Sequence, residues 1–422
     1  MNHFRKYWIA IALFASFSCL ADWPQWRGPD RTGRISSTEV IIEKLPSAVT
    51  PAWKFAIGEG FSSPVVSGDA LIYSDNQGGK ETLHCLTAAD GKEIWKFDVD
   101  DTFKDQQGPP GPRCTPLISS GLVFVQSCKG EFQARKLKDG ALVWRVNFKD
   151  FGAKFIGEKG NTPGANRHGN NGSPAVDDKN VYVLVGGTND QGVVCFDKAS
   201  GKQVWHSLAD LPAYAAPFIA SIDGTKQLVC FLVDGPVGLD LGTGKELWRI
   251  PVKTDYARHA MTPVVYQNMV VLGSHQVGLL GISLKHEGDK WLSSVAWTNK
   301  PAAPNFSSMV EVDGYVYGLG PAKNLVCVEI KSGKLMWSED NFISTSADKG
   351  AAAFLVSGPN ILSLADGGEL LLFKASSEKY IQLSRVQATG LNWCNPAYSK
   401  GFLYLRNGVR GTGELMAIQV QP

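Results

Sequence analysis

The 422-residue chain has no excess of either charge, no adjacent pair of cysteines and, beyond its first two dozen residues, no apolar run able to cross a membrane. Lys and Arg number 42 against 40 Asp and Glu, and loss of a leader holding Arg5 and Lys6 would leave 40 against 40. That balance excludes a partner recruited by bulk charge, such as nucleic acid or an anionic membrane. No Cys-x-x-Cys-His is present to attach a haem, and no paired Cys or His spacing suits zinc. Gly-x-Ser-x-Gly and His-Glu-x-x-His are missing too, which removes two common hydrolytic sites. Glu59, Asp105 and Asp348 are scattered, so no acidic cluster offers calcium its convergent oxygen ligands. No catalytic residue and no metal ligand is legible.

What is present begins with a leader. Arg5 and Lys6 form a basic start, Trp8–Phe17 an apolar stretch, and Ser18-Cys19-Leu20-Ala21 a small-residue exit. Met1–Ala21 therefore reads as a secretory signal, cut after Ala21. The alternative is a lipid anchor on Cys19, for which Ser16 is a poor residue three positions earlier. Either route predicts an exported protein, periplasmic or attached to the cell envelope.

The remainder repeats one pattern at a period of about 45 residues, in the range of four-stranded propeller blades. Each copy runs from a small residue and Pro, through short β-branched runs, to Gly-Lys-x-x-Trp. Clear copies are Ser63–Val66 with Asp90–Trp95, Ser173–Val176 with Ser200–Trp205, and Thr243–Trp248. Runs such as Leu122–Val125 and Val181–Val185, bounded by Gly, Asp and Ser, read as strands. The expected fold is all-β: an eight-bladed propeller, with seven blades as the alternative. The last blade lacks its closing Trp, and Pro51-Ala52-Trp53-Lys54-Phe55 supplies the missing fourth strand. Such a latch closes the ring and removes its exposed edges. The fifth and seventh copies look degenerate, with Trp297 displaced and Tyr380 in place of Trp. The domain reading is a leader at 1–21, an aromatic segment at 22–51 packing on the propeller, and the propeller itself at 52–422. The Trp series is read as packing between sheets, not as a cofactor cage. Trp23 and Trp26 are expected to fold back against the side of the barrel, the alternative being an exposed tail that docks a partner or a glycan.

Thr243–Trp248 resembles the repeat of the PQQ-like (pyrroloquinoline-quinone-type) propellers, a family that includes quinoprotein dehydrogenases and BamB-like envelope proteins. Asp22-Trp23-Pro24-Gln25-Trp26-Arg27-Gly28-Pro29 is similar to the opening of many exported bacterial members. The resemblance covers nearly the whole chain after the leader. It implies the fold, and two functions for it: a non-catalytic scaffold binding an envelope protein or peptide, or an oxidoreductase holding PQQ with calcium. Quinoprotein alcohol dehydrogenases of the family usually carry adjacent cysteines beside the quinone, which this chain lacks. The scaffold, without a cofactor, is the preferred reading. A small-molecule or glycan site using Trp393, Tyr214 and Phe61 is a third.

Links between blades emerge on one face of a propeller, and 149–172 is the longest, beyond the usual loop length. Arg113, Arg167, His168, Asn171, Arg258, His259, Asn305 and Trp393 all stand just before inner strands. Ring closure should gather them around a central mouth. There the arginines would attract an anion, a histidine could move a proton, and Trp393 could stack on a flat ligand. The bland alternative is that they cap strand ends. Cys85, Cys195 and Cys327 match between blades and read as buried free thiols. A bond between Cys114 and Cys128 would need a bulge, since simple pairing sets Cys114 opposite Gln126.

Overall fold

The structure is a computed structural model that describes residues 22–105, 108–154, 164–343, 350–409 and 411–421. The leader with Cys19, much of the 149–172 link, and Asp348 lie outside the described residues. Eight four-stranded antiparallel sheets form eight blades. Their inner strands are Val65–Ser67, Leu117–Ser119, Ala175–Val176, Phe218–Ile222, Val264–Tyr266, Val310–Val312, Ala352–Ser357 and Ala397–Ser399. The second and third strands are buried on both faces, whereas fourth strands such as Gln203–Ser207 bury little beyond their Trp. Blade 8 is completed by Pro51–Ile57, paired antiparallel with Gly413–Gln419, so the latch strand closes the ring. Among the described residues no helix is long and apolar enough to cross a membrane.

The repeat is explained by contacts between blades. A register shift ahead of each tryptophan turns its ring out of the fourth strand, as between Cys195 and Phe196 opposite Trp205. The ring then lies on the third-to-fourth-strand turn of the next blade. The Trp144 indole donates to the Lys198 carbonyl at 3.0 Å, and Trp205 to Leu241 at 3.2 Å. Trp53, Trp95, Trp297 and Trp337 make the same reach to Ala88, Leu137, Ile330 and Ser376. In the clearest copies the residue beneath the ring is the Gly of Gly-Lys. A Cβ on Gly201 would sit 2.6 Å from the Trp144 ring, and one on Gly244 2.4 Å from Trp205.

Two readings of individual blades need correction. Trp297 is not displaced: it lies opposite Gly281 and bonds the next blade like its counterparts. The extra residues lengthen the Gly278–Glu287 and Lys290–Asn299 hairpin beyond it. Tyr380 does not replace Trp in blade 7, because Ser384 occupies the register position opposite Leu372. The Ser384 hydroxyl instead accepts from the Leu45 amide at 2.9 Å. Blade 5 offers no Gly-Lys turn, and Trp248 accordingly donates to Gln227 of its own blade at 2.7 Å.

The segment expected along the barrel's side runs through its centre. Trp23 exchanges two 2.9 Å backbone bonds with Val66 of blade 1, and Ile118 of blade 2 donates to the Pro24 carbonyl at 2.7 Å. The buried Arg31 donates to carbonyls of Ser173 and Pro174 at blade 3 and Pro217 at blade 4. Trp26 donates to Thr262 of blade 5 at 2.9 Å, and Arg27 to the Met309 carbonyl of blade 6 at 2.6 Å. Gly33 and Ile35 bond Val356 of blade 7. Seven blades thus share one plug. The repeat gives no hint of this path, because the plug occurs once.

Gly201→Ala and Gly244→Ala should each lower stability by about 3 kcal/mol, combining left-handed strain with overpacking against the neighbouring Trp. Gly68→Ala, also at positive φ but with open space around it, should cost only about 1 kcal/mol. Denaturant unfolding of the three variants, with equal losses at all three sites, would remove the docking role of the turn glycines.

Candidate functional site

Above the plug, the links open into a cavity of 390 Å³. Arg113, Arg167, His168, Asn171, Arg258 and Trp393 all line it. Two other residues singled out from the sequence do not. His259 is fully buried, with Nδ1 2.7 Å from the Leu232 carbonyl, Nε2 3.1 Å from the Thr254 hydroxyl, and its ring stacked on Phe231 at 4.1 Å. Burial holds its pKa below the ordinary histidine value. It braces the wall from behind. Asn305 stands outside the lining, next to Phe306, which belongs to it.

Asp105 organises the cationic side. Its Oδ2 lies 2.8 Å from Arg113 Nη1 and 2.8 Å from His168 Nδ1. His168 Nε2 faces Arg167 Nε at 3.0 Å, so it accepts there while Nδ1 donates to Asp105. Both ring nitrogens are engaged within the protein, so His168 links Arg167 to Asp105. The Arg167 guanidinium in turn lies 4.6 Å from the Tyr256 ring centre. Arg167 and His168 end a single helical turn, Ala165–His168, at the close of the long link.

Arg113 is nine-tenths buried. Besides Asp105 it donates to the His168 carbonyl at 2.9 Å, yet its Nε and Nη2 find no acceptor among the described residues. The Asn171 amide oxygen is likewise buried without a donor among the described residues. Unpaired buried polar atoms are costly, which points to a visiting partner or water. Arg258 leans over the Phe306 ring at 5.3 Å. The lining thus carries three guanidiniums, while Asp105, which pairs with Arg113, is buried behind it.

The apolar side is a bank of rings. Phe61 stacks with Trp393 at 5.4 Å, and Phe306 lies nearly parallel to Trp393 at 6.5 Å. Tyr214 and Tyr256 complete the wall, and Trp26, carried in by the plug, also lines the cavity. Tyr256 and Ala257 both have positive φ, at 58° and 46°, so the lip of the mouth holds two strained residues in succession. Sequence reasoning singled out Trp26 without placing it in the mouth, and it missed Tyr256 and the organising role of Asp105. Only proximity in space joins these single-copy residues.

Behind Arg113, the buried Glu81 accepts from the Cys128 amide at 3.2 Å, and burial pushes its carboxyl up to about 7. The seven described cysteines are all free and buried. The hairpin register differs by one residue from the simple pairing expected, since Leu117 lies opposite Phe124 and not Val123, while Gln126 Nε2 still approaches Cys114 Sγ at 3.1 Å.

Fold and site together define a plugged eight-bladed propeller of the PQQ-like repeat class, with an arginine- and aromatic-lined mouth. The family model described as "Outer membrane protein assembly factor BamB" matches residues 46–189, 114–339 and 189–421. The chain belongs to this family. Outer membrane protein assembly factor BamB of Yersinia pestis is 26% identical over 230 residues, covering 53% of this chain and 51% of that protein. The match thus spans about half the length of that curated relative. The crystal structure of BamB from Moraxella catarrhalis superposes with a TM-score of 0.58 at 16% identity, over 88% of this chain and all of that one. Quinohemoprotein alcohol dehydrogenase from Comamonas testosteroni gives 0.66 at 13%, over 95% of this chain and 80% of that one. At these identities the two structures establish the shared fold.

Glu81 yields a pH prediction. Between its unfolded value near 4.5 and its folded value near 7, the native state keeps a proton that the unfolded chain has released. Stability should therefore fall as pH rises through that window, by about 3 kcal/mol in all, and level off above it. Glu81→Gln should flatten this contribution and be the more stable protein at pH 8. Melting curves from pH 4.5 to 8 with identical slopes for the two proteins would refute it.

Proposed function

We propose that this chain is an exported, non-catalytic envelope scaffold, and that its mouth takes an anionic, flat element from a protein partner. The observation that carries the reading is Arg113, a buried guanidinium whose Nε and Nη2 have no acceptor among the described residues, flanked by Arg167 and Arg258. A carboxylate presented on a partner's loop would accept those N–H groups in a sheltered site, where charge-assisted bonds are strongest. An aromatic or other flat side chain beside it would lie against Phe61, Trp393 and Phe306. Membership of the BamB family supports the envelope setting, as does the leader-like start of the chain. Rigid blades suit the role, since loops held on a stiff ring lose little freedom on binding.

The test is photo-cross-linking in cells from Leu391, an exposed residue in the link that carries Trp393. One dominant envelope partner is expected, with the cross-linked peptide bearing Asp or Glu beside an aromatic residue. Arg113→Gln should cut the adduct about tenfold, the cost of losing a charged hydrogen-bond pair. An undiminished adduct would take the mouth out of partner recognition.

A second reading has its own support in the volume and shape of the cavity. At 390 Å³, and with Trp26 in its lining, it falls within the range of small-molecule sites. The ligand would be a flat, carboxylated ring compound such as PQQ. The donors do not fit the calcium that PQQ accompanies in quinoproteins: the mouth presents guanidiniums, and among the described residues no three His, Cys, Asp or Glu side chains converge. Uptake of PQQ at micromolar concentration, unaffected by a chelator, is the expected behaviour on this reading. Absence of saturable uptake by absorbance titration would eliminate it.

A further inference from the structure

We infer that residues 22–35 form a single seating element of the mouth: Trp26 is a ligand-contacting residue, and the site is complete only while the plug is held in the channel. The inference rests on reading the mouth as a binding site, and it adds how that site is assembled.

Three observations carry it. Trp26 is the one plug residue in the cavity lining, partly exposed to it and fixed by its bond to Thr262. The residues on either side of it are occupied elsewhere. Gln25 donates to the Pro29 carbonyl and Arg27 to the Met309 and Thr32 carbonyls, so the indole cannot shift without disturbing both neighbours.

The plug's grip is distributed and long-range. Arg27 and Arg31 act as spokes into blades 3, 4 and 6, donating to strand-end carbonyls that the channel hides from water. In return, amides of Val66, Ile118 and Val356 in blades 1, 2 and 7 donate to plug carbonyls. Loss of one spoke would leave several buried groups unpaired together, so the segment should release as a unit and not fray residue by residue.

The plug is also strained. Arg27 and Arg31 both adopt left-handed backbone, at φ 61° and 65°. Gly28 and Gly33 do so too, at 88° and 84°, and Gly33 lies so near the Phe354 carbonyl that a Cβ would approach to 2.8 Å. Non-glycine residues persist in that region only when surrounding contacts hold them there. Here those contacts are the spokes themselves. Arg27 and Arg31 are therefore positioning residues for Trp26.

Arg31→Met in the full chain tests the unit, with Arg27→Met as a second variant should the first fold poorly. Hydrogen exchange is read at Val66, Ile118 and Val356. Exchange at all three should quicken at least tenfold, although none touches residue 31, while Val183 in the second strand of blade 3 stays protected. Unchanged rates at Val66 and Val356 would overturn the plug as one element.

Titration with 2-naphthoate, a flat carboxylate, reads the site. Trp26→Ala should weaken binding about tenfold, Trp26→Phe should largely restore it, and Arg31→Met should weaken it from outside the cavity. Equal affinity in Trp26→Ala would remove Trp26 as a contact. A native protein that ignores naphthoate up to millimolar concentration would overturn both Trp26's role and the anion reading of the mouth, leaving the exchange data to judge the plug by themselves.

Discussion

The ring depends on an indole from one blade lying flat on a turn of the next. Each such contact couples two requirements: the turn must come close enough to touch the ring, and its carbonyl must point at the indole N–H. Glycine at left-handed φ meets the first in the clearest copies, as at Gly201 and Gly244. The bulge ahead of the Trp meets the second by turning the side chain out of its own sheet. A Trp of this size buries about 150–250 Å², worth roughly 4–6 kcal/mol gross, so the contact sets blade spacing as well as stability. Trp53 extends the same contact from the latch strand to blade 1. The front of the folded chain thereby closes the ring by the rule that spaces its interior blades.

This also explains what was legible. Gly-Lys-x-x-Trp is written locally and repeated, so its period exposes four-stranded units and their count before any coordinates. The latch was visible because blade 8 lacked a Trp and Trp53 stood unclaimed. Interpretation failed where one blade answered its neighbour. Trp297 looked displaced because distance along the chain was measured from a lengthened hairpin, not from its partner Ile330. Trp248 packs between blades 4 and 5 as read, although its indole N–H turns to Gln227 because blade 5 offers no docking turn.

The candidate site was legible as positions and not as interactions. Residues before inner strands must crowd one rim, which located Arg113, Arg167, Arg258 and Trp393. The same rule could not tell a side chain facing the cavity from one braced behind it, so His259 and Asn305 were gathered with the rest. Asp105 seemed a scattered acid because its partners are Arg113 and His168, the latter 63 residues away. Trp26 gave no periodic signal at all. Its contact at Thr262 spans 236 residues and is visible only once the segment is seen inside the channel.

A closed ring of eight blades leaves a shaft whose inner strands end in carbonyls and amides that water alone would have to satisfy. The plug meets several of those groups at once and narrows the shaft to a pocket on the link-bearing face. Its arginines face backbone carbonyls instead of carboxylates, and burial lowers the basicity of both. The arginines of the mouth differ, since Arg113 pairs with Asp105 and Arg167 is linked to the same acid through His168. A cleft lined by cations with apolar walls concentrates its field, which is the physical ground for the anion binding we propose at the mouth of a chain whose charges otherwise nearly balance.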